Sequence, residues 1–141
     1  MLLLDTDHLV EYQKGTSPES RRLKERLDHT SETFGTTIIT VEEIMRGWMA
    51  AIRRADDPRR QIRAYTRLRQ LFVFFASWAV VDWDESAAER FVSLKEGLKT
   101  VGTMDLKIAS IALASDATLL TRNTNDFAKI PGLRIADWLT Q

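Results

Sequence analysis

Three consecutive leucines, Leu2 to Leu4, run directly into Asp5, and this short apolar run constrains the fold more than any other feature of the sequence. A run without any polar residue is typical of a strand that is buried on both faces, as the strands of a parallel sheet are. Comparable apolar or β-branched runs occupy residues 35–39, 78–81, 118–121 and 133–135. The sequence therefore predicts five short strands.

Helix-forming segments separate these runs. Ser17-Pro18 is typical of a helix start, because serine caps the first turn and proline fits its first position. Thr40 followed by Glu43 predicts a capping box that begins a helix running to about Arg54. A break at residues 56–58 then leads into another helix, so the two are expected to form a hairpin. Further helices are predicted from the Asp84 cap to Leu98 and from Met104 to about Ser115.

This alternation of strands and helices predicts the fold class. Each crossover is long enough to connect parallel strands, so we expect a three-layer α/β/α sandwich with a central, mostly parallel five-stranded sheet, plus the helical hairpin. A chain of 141 residues fits a single domain, which we expect to span residues 1–141.

Composition excludes several classes of function. Twenty lysines and arginines balance twenty aspartates and glutamates, so no overall field attracts nucleic acid or an acidic membrane. The absence of cysteine excludes a thiolate zinc site and a cysteine nucleophile, and two histidines exclude a histidine-rich metal site. No apolar stretch approaches the length of about 18 residues that a membrane span needs. We therefore expect a cytoplasmic protein without a membrane partner.

The polar residues that follow the predicted strands are mostly acidic. Ligands of an open parallel sheet bind outside the carboxyl ends of its strands, so these residues are the candidates for chemistry. Each acid also has an ordinary structural explanation as a helix cap, a capping-box partner, a first-turn anion or a turn residue. The candidates are Asp5, Asp7, Glu43, Asp105, Asn123 and Asp126.

Gathering these carboxylates at one sheet edge has a chemical consequence. Carboxylates that lie close together repel and raise one another's pKa values, and a bound cation relieves that repulsion. Ligation by carboxylate oxygens suits Mg²⁺ or Mn²⁺, and such ions support phosphoryl transfer.

Four motifs that contain these acids follow one another along the chain: Leu2-Leu3-Leu4-Asp5-Thr6-Asp7, Thr40-x-x-Glu43-Ile44-x-x-Gly47, Asp105-Leu106-x-Ile108-Ala109 and Thr121-Arg122-Asn123-x-x-Asp126-Phe127. In this order they resemble the motifs of PIN-domain ribonucleases, and of the VapC toxins of bacterial toxin–antitoxin pairs in particular. The resemblance implies that Thr121 and Asn123 border the site. It implies a catalytic and metal-binding quartet made of Asp5, Glu43, Asp105 and Asp126.

The resemblance also carries expectations about activity and partners. It implies hydrolysis of RNA by metal-activated water, with Mg²⁺ or Mn²⁺ as the cofactor. A small VapB-type antitoxin and a homodimer are the implied protein partners. Asp7 stands where many relatives carry asparagine, and Lys107 stands where an apolar residue is common. Neither departure removes a member of the quartet.

One region of the chain is basic, because residues 46–69 contain eight arginines and only two aspartates. Arginine suits bidentate phosphate contacts, so the hairpin is a candidate RNA-binding surface, although a charged helix face is often only solvated. Arg122, at a strand edge, is a stronger candidate for substrate contact. Trp48 and Met49 are candidates for partner contact, whereas His8 is interpreted as structural.

Two other functions remain open from the sequence. Leu3-Leu4-Asp5-Thr6-Asp7 also looks like the first motif of haloacid-dehalogenase-type phosphatases, in which Asp5 would be a covalent nucleophile and Asp7 an acid/base. That hypothesis leaves Glu43 unexplained. A non-catalytic RNA-binding module would use the arginine hairpin and keep the acids only as helix caps.

Overall fold

The computed structural model describes residues 1–140, which form a five-stranded sheet in the order β3-β2-β1-β4-β5. Every neighbouring pair is parallel, and Leu2 of the central β1 lies opposite Phe34 on one side and Thr118 on the other. The predicted parallel sheet is confirmed. The strands are β1 (Leu2–Leu4), β2 (Phe34–Thr37), β3 (Val80–Val81), β4 (Thr118–Leu120) and β5 (Arg134–Ala136).

Helices follow or connect these strands throughout residues 1–140, and none of those described is both long and apolar enough to cross a bilayer. α3 and α4 form the predicted hairpin, closed by a hydrogen bond of 3.0 Å from Gln61 Nε2 to the carbonyl of Ile52. The helices are α1 (Thr6–Lys14), α2 (Pro18–His29), α3 (Ile38–Arg54), α4 (Ile62–Ala76), α5 (Glu85–Lys95), α6 (Thr103–Ala114) and α7 (Thr124–Phe127).

β1 is buried on both faces, and its side chains alternate between two hydrophobic clusters. Leu3 packs into one cluster with residues of α6. Leu2 and Leu4 pack on the opposite face with residues of α1, α2 and α4. All three leucines are at most 2% exposed. Helices therefore cover the sheet on both sides, which confirms the three-layer α/β/α sandwich.

The second strand ends earlier than predicted, and the capping box at Thr40 is wrong. β2 stops at Thr37, and α3 already begins at Ile38. The Thr37 hydroxyl caps α3 by accepting a hydrogen bond of 3.1 Å from the Thr40 N–H. A β-branched run looks alike in a strand and in a first helical turn, and here Ile39 packs into the core as part of the helix. Glu43 consequently lies in the second turn of α3.

Other boundaries differ by a few residues. β3 contains only Val80–Val81, and the carbonyl of Ala79 just before it accepts a hydrogen bond of 2.9 Å from the Thr36 N–H of β2. Gly35 of β2 is needed for this approach, since a Cβ at that position would lie 2.3 Å from the Ala79 oxygen. α5 ends at Lys95, before Leu98.

Candidate metal centre

Asp5 stands at the carboxyl end of the central strand, where its carboxylate is held from two sides. It caps α1, and its Oδ1 accepts a hydrogen bond of 2.8 Å from the Thr6 N–H. Its Oδ2 accepts a bond of 2.8 Å from the hydroxyl of Thr121, which follows the neighbouring β4. Thr121 is fully buried. In this structure its hydroxyl therefore contacts Asp5 and not the outer surface of the site.

Glu43 reaches the same edge from α3. Its Oε2 accepts a hydrogen bond of 2.6 Å from the Thr6 hydroxyl. The predicted bond from Glu43 back to the N-terminus of α3 is not formed, because Thr37 caps that helix. The corrected start of α3 therefore explains why Glu43 turns to the sheet edge.

Asp105 and Asp126 are joined by one amide. Asp105 lies in the first turn of α6 and Asp126 in α7. The Asn123 Nδ2 donates to Asp105 Oδ2 at 3.1 Å and to Asp126 Oδ2 at 3.2 Å. The Asn123 N–H donates in turn to Thr121 Oγ1 at 3.0 Å, which connects this pair to the group that holds Asp5. We call Asp5, Glu43, Asp105 and Asp126 the acidic cluster.

Burial and mutual repulsion raise pKa values in the acidic cluster. Burial raises the pKa of Asp5, and the charge of the exposed Asp7 raises it further against opposing hydrogen bonds. Burial also raises the pKa of Glu43, to which the charge of Asp5 adds. The largest effect is on Asp105, where burial and then the charges of Asp5, Glu43 and Asp126 raise the pKa to about 6. The four carboxylates are thus electrostatically coupled.

Each of these carboxylates accepts a hydrogen bond from a neutral group. Thr6, Thr121 and Asn123 supply the hydrogen bonds described above to Asp5, Glu43 and Asp105. A lysine ammonium meets the cluster at its exposed edge, where Lys129 Nζ lies 3.5 Å from Asp126 Oδ1. Neutral donors orient a carboxylate without cancelling its charge, so the cluster keeps its attraction for a cation.

The donor chemistry of the cluster fits a hard divalent ion, since every candidate ligand atom is a carboxylate oxygen. Among residues 1–140, however, no three acidic or histidine side chains converge closely enough to enclose an ion as they stand. The fit is therefore one of donor type and charge and not of a preformed cage.

The other residues predicted from the sequence have different surroundings. Arg122, which directly follows Thr121 in the sequence, is exposed, and its charge acts on His8 and Glu11. Lys107 does not enter the acidic cluster, because its Nζ lies 5.7 Å from the centre of the Trp83 ring. His8 is fully buried, and its Nε2 accepts a bond of 3.1 Å from the Trp138 N–H, which agrees with a structural role. Sequence reasoning overlooked Thr6, whose position between two aspartates was the available signal.

The arginine hairpin borders a groove of about 640 Å³ between α1 and α4. Arg63 and Arg67 line it together with Trp48 and Leu71. Met49, the other predicted partner residue, is 46% exposed on α3.

Comparison with known proteins agrees with this architecture. The family model described as PIN domain matches residues 2–133. Ribonuclease VapC2 of Rickettsia felis is 32% identical over 73 residues, which is 49% of this chain and 54% of that protein. The matched stretch thus spans about half the length of this curated relative.

Two solved structures share the fold over nearly the whole chain. VapBC2 from Rickettsia felis, bound to a DNA fragment from its promoter, superposes with a TM-score of 0.73 at 23% identity, covering 97% of this chain and 98% of that one. VapBC-1 from nontypeable Haemophilus influenzae gives a TM-score of 0.74 at 22% identity, with 97% of each chain covered. At such identities the likeness establishes the fold, and the family model covers all four acidic motifs. The chain is therefore a member of the PIN-domain family.

Proposed function

We propose that this protein is a divalent-metal-dependent ribonuclease and the toxin of a toxin–antitoxin pair. The observation that carries the proposal is the acidic cluster, in which four carboxylates from separate elements share one edge and each accepts a hydrogen bond from a neutral donor. Membership of the PIN-domain family and the similarity to Ribonuclease VapC2 support the same activity.

In this mechanism the acidic cluster would hold Mg²⁺ or Mn²⁺. The ion, when bound, supplies an activated water at neutral pH and stabilises the charge that develops on the phosphodiester. Thr121 orients Asp5, and Asn123 keeps Asp105 and Asp126 at a fixed separation.

Substrate contact falls to residues on the rim. Arg122 is exposed and stands between Thr121 and Asn123 in the sequence, and its guanidinium is suited to a phosphate oxygen. Asn123 is partly exposed, so we propose that its amide also borders the RNA. We assign Thr121 a different part, acting through Asp5, because its buried hydroxyl is already bonded there. The arginine hairpin adds a longer electrostatic contact to the RNA backbone.

The protein partners follow from the solved relatives. Both structures described above carry the name VapBC, so we propose a VapB-type antitoxin as partner. We also propose that the assembled toxin is a homodimer. The exposed apolar residues Phe72 and Val73 of α4, 60% and 71% accessible, support a contact with another protein. We place this complex in the cytoplasm, where a ribonuclease meets its RNA.

The decisive test is cleavage of a mixed structured RNA by the purified protein, freed of any antitoxin. Products are expected with Mg²⁺ or Mn²⁺, and none with a chelator or with Asp105→Asn. A phosphate monoester serves as the control substrate and should be left intact. Turnover of the monoester without RNA cleavage, or RNA cleavage that persists in the chelator, would overturn the proposal.

A further inference from the structure

Thr6 contacts two members of the acidic cluster at once. Its backbone N–H donates to Asp5 Oδ1 at 2.8 Å, and its hydroxyl donates to Glu43 Oε2 at 2.6 Å. Asp5 belongs to the end of β1, whereas Glu43, 37 positions after Thr6 in the sequence, belongs to α3. One residue therefore joins carboxylates from two separate elements.

Neither helix needs the side-chain bond for its own capping. Asp5 already caps α1 through the Thr6 backbone N–H. Thr37 already caps α3 through the Thr40 N–H. Neither helix therefore needs the Thr6 hydroxyl or the Glu43 carboxylate as a cap. A contact between them needs another explanation than helix capping.

The two side chains differ in freedom. Threonine is branched at Cβ and has few χ1 rotamers, so its hydroxyl direction is well defined. Glutamate has three rotatable bonds, and Glu43 is only partly buried. A short hydrogen bond to a carboxylate is stronger than one between neutral groups. The hydrogen bond therefore restricts the flexible Glu43 side chain through the more rigid Thr6 side chain.

We propose that Thr6 is a positioning residue that holds Glu43 beside Asp5 for the divalent cation. This inference rests on the proposed function. The hydroxyl occupies one lone pair of Oε2, adds no positive charge and leaves Oε1 available to the ion. A lysine or arginine in its place would orient the glutamate equally well but would repel the cation.

The test is titration of the metal-free protein with Mn²⁺, followed by the paramagnetic resonance signal of the free ion. Thr6→Val keeps the shape and the backbone N–H but removes the hydroxyl, and we expect it to weaken Mn²⁺ binding by about 10-fold, as loss of a partner to a metal ligand commonly does. Thr6→Ser should restore affinity to within about threefold of wild type. Thr66→Val, on the exposed face of α4, is the matched control and should bind as wild type does.

A double-mutant cycle separates positioning from general stability. In a Glu43→Gln background, Thr6→Val should cause no further loss of Mn²⁺ affinity, because the hydroxyl acts only through that carboxylate. An equal loss in both backgrounds, or wild-type affinity in Thr6→Val, would overturn the inference. Thermal unfolding of the metal-free variants shows that each is folded.

RNA cleavage by the wild type is measured in parallel, which keeps the two proposals distinct. Wild type that binds Mn²⁺ but leaves RNA intact refutes the ribonuclease and still tests Thr6 through the cycle. Wild type that cleaves RNA while Thr6→Val binds Mn²⁺ normally refutes only the role of Thr6. Wild type that binds no Mn²⁺ refutes both.

Discussion

The Thr121 hydroxyl donates to Asp5 Oδ2 at 2.8 Å across a separation of 116 residues, and it does so from a fully buried position. Parallel pairing of β1 with β4 makes the contact, because the two residues follow these neighbouring strands directly. Asp5 thus receives a donor on each carboxylate oxygen, one local and one distant.

Replacing the Thr121 hydroxyl should lower the stability of the fold. Thr121→Val keeps the volume but leaves the Asn123 N–H without its acceptor and Asp5 without one donor. We expect the free energy of unfolding to fall by about 1 to 3 kcal/mol, which is the usual cost of leaving a buried polar group unpaired. Urea denaturation measures this loss, and Thr118→Val at the far end of β4 is the comparison. A variant as stable as wild type would contradict the prediction.

Asp105→Asn should stabilise the metal-free protein at neutral pH while abolishing cleavage. The folded-state pKa of Asp105, about 6, lies above its ordinary value of 3.8, so the fold favours the protonated form. That contribution to stability is complete below pH 3.8 and is lost as the pH rises through 6. At pH 7.5 the variant has no partly buried charge at residue 105. We therefore expect its free energy of unfolding to exceed that of wild type by about 1 kcal/mol after allowing for solvent screening.

Denaturation in a chelator at two pH values checks this sign. The advantage of Asp105→Asn should be present at pH values near 7.5 and should shrink at about pH 4.5, where the wild-type carboxyl is largely protonated. An advantage that grows at low pH would show that the charge of Asp105 is not the cause.

His8 should make the protein less stable in acid. Burial lowers the pKa of His8 from 6.5 to about 4, against the opposing charge of Asp137. The unfolded chain therefore binds a proton below pH 6.5 that the folded chain accepts only near pH 4. Stability present above 6.5 is lost as the pH falls towards 4, with a slope approaching 1.4 kcal/mol per pH unit for this group.

The carboxylates with raised pKa values work in the opposite direction, so the effect of His8 is taken as a difference between proteins. His8→Gln retains an oxygen that can accept the Trp138 N–H, and its stability should decline less steeply between about pH 6.5 and pH 4.5 than that of wild type. Thr66→Val, at an exposed site on α4, carries no titratable group and should follow the wild-type curve.

Removing two arginines of the hairpin should weaken RNA binding without disabling the cluster. Arg63 and Arg67 line the groove beside α1. If each contacts a phosphate, Arg63→Gln and Arg67→Gln should each reduce the slope of log affinity against log salt by about 0.7, the value for single strands. Binding to catalytically inactive Asp105→Asn protein measures this slope. Unchanged slopes would show that these arginines are only solvated or serve the protein partner.

The parallel sheet was predictable because apolar runs bounded by polar residues are a local signal. Leu2 to Leu4 identified a doubly buried strand without any knowledge of its neighbours. The helix starts at Pro18 and Glu85 were equally local, since their caps at Ser17 and Asp84 precede them directly.

The contacts within the site were much harder to predict. The sequence pattern placed Glu43 in a capping box. In the structure Ile39 packs into the core as part of α3, which begins at Ile38, and the Glu43 carboxylate accepts a hydrogen bond from Thr6 instead. The bridge of Asn123 between Asp105 and Asp126 depends on how α6 and α7 approach each other. Such side-chain directions arise from tertiary packing and leave no periodic trace in the sequence.

The strand order has a consequence for synthesis on the ribosome. β1 emerges first but lies in the middle of the sheet, and its second neighbour, β4, begins only at Thr118. Until that segment has left the exit tunnel, Asp5 lacks Thr121, and the amide that joins Asp105 to Asp126 is absent. The acidic cluster therefore cannot assemble at that stage, although most of the chain has already left the ribosome. If the cluster cuts RNA, this topology delays cleavage until the segment from Thr118 onwards has emerged from the ribosome.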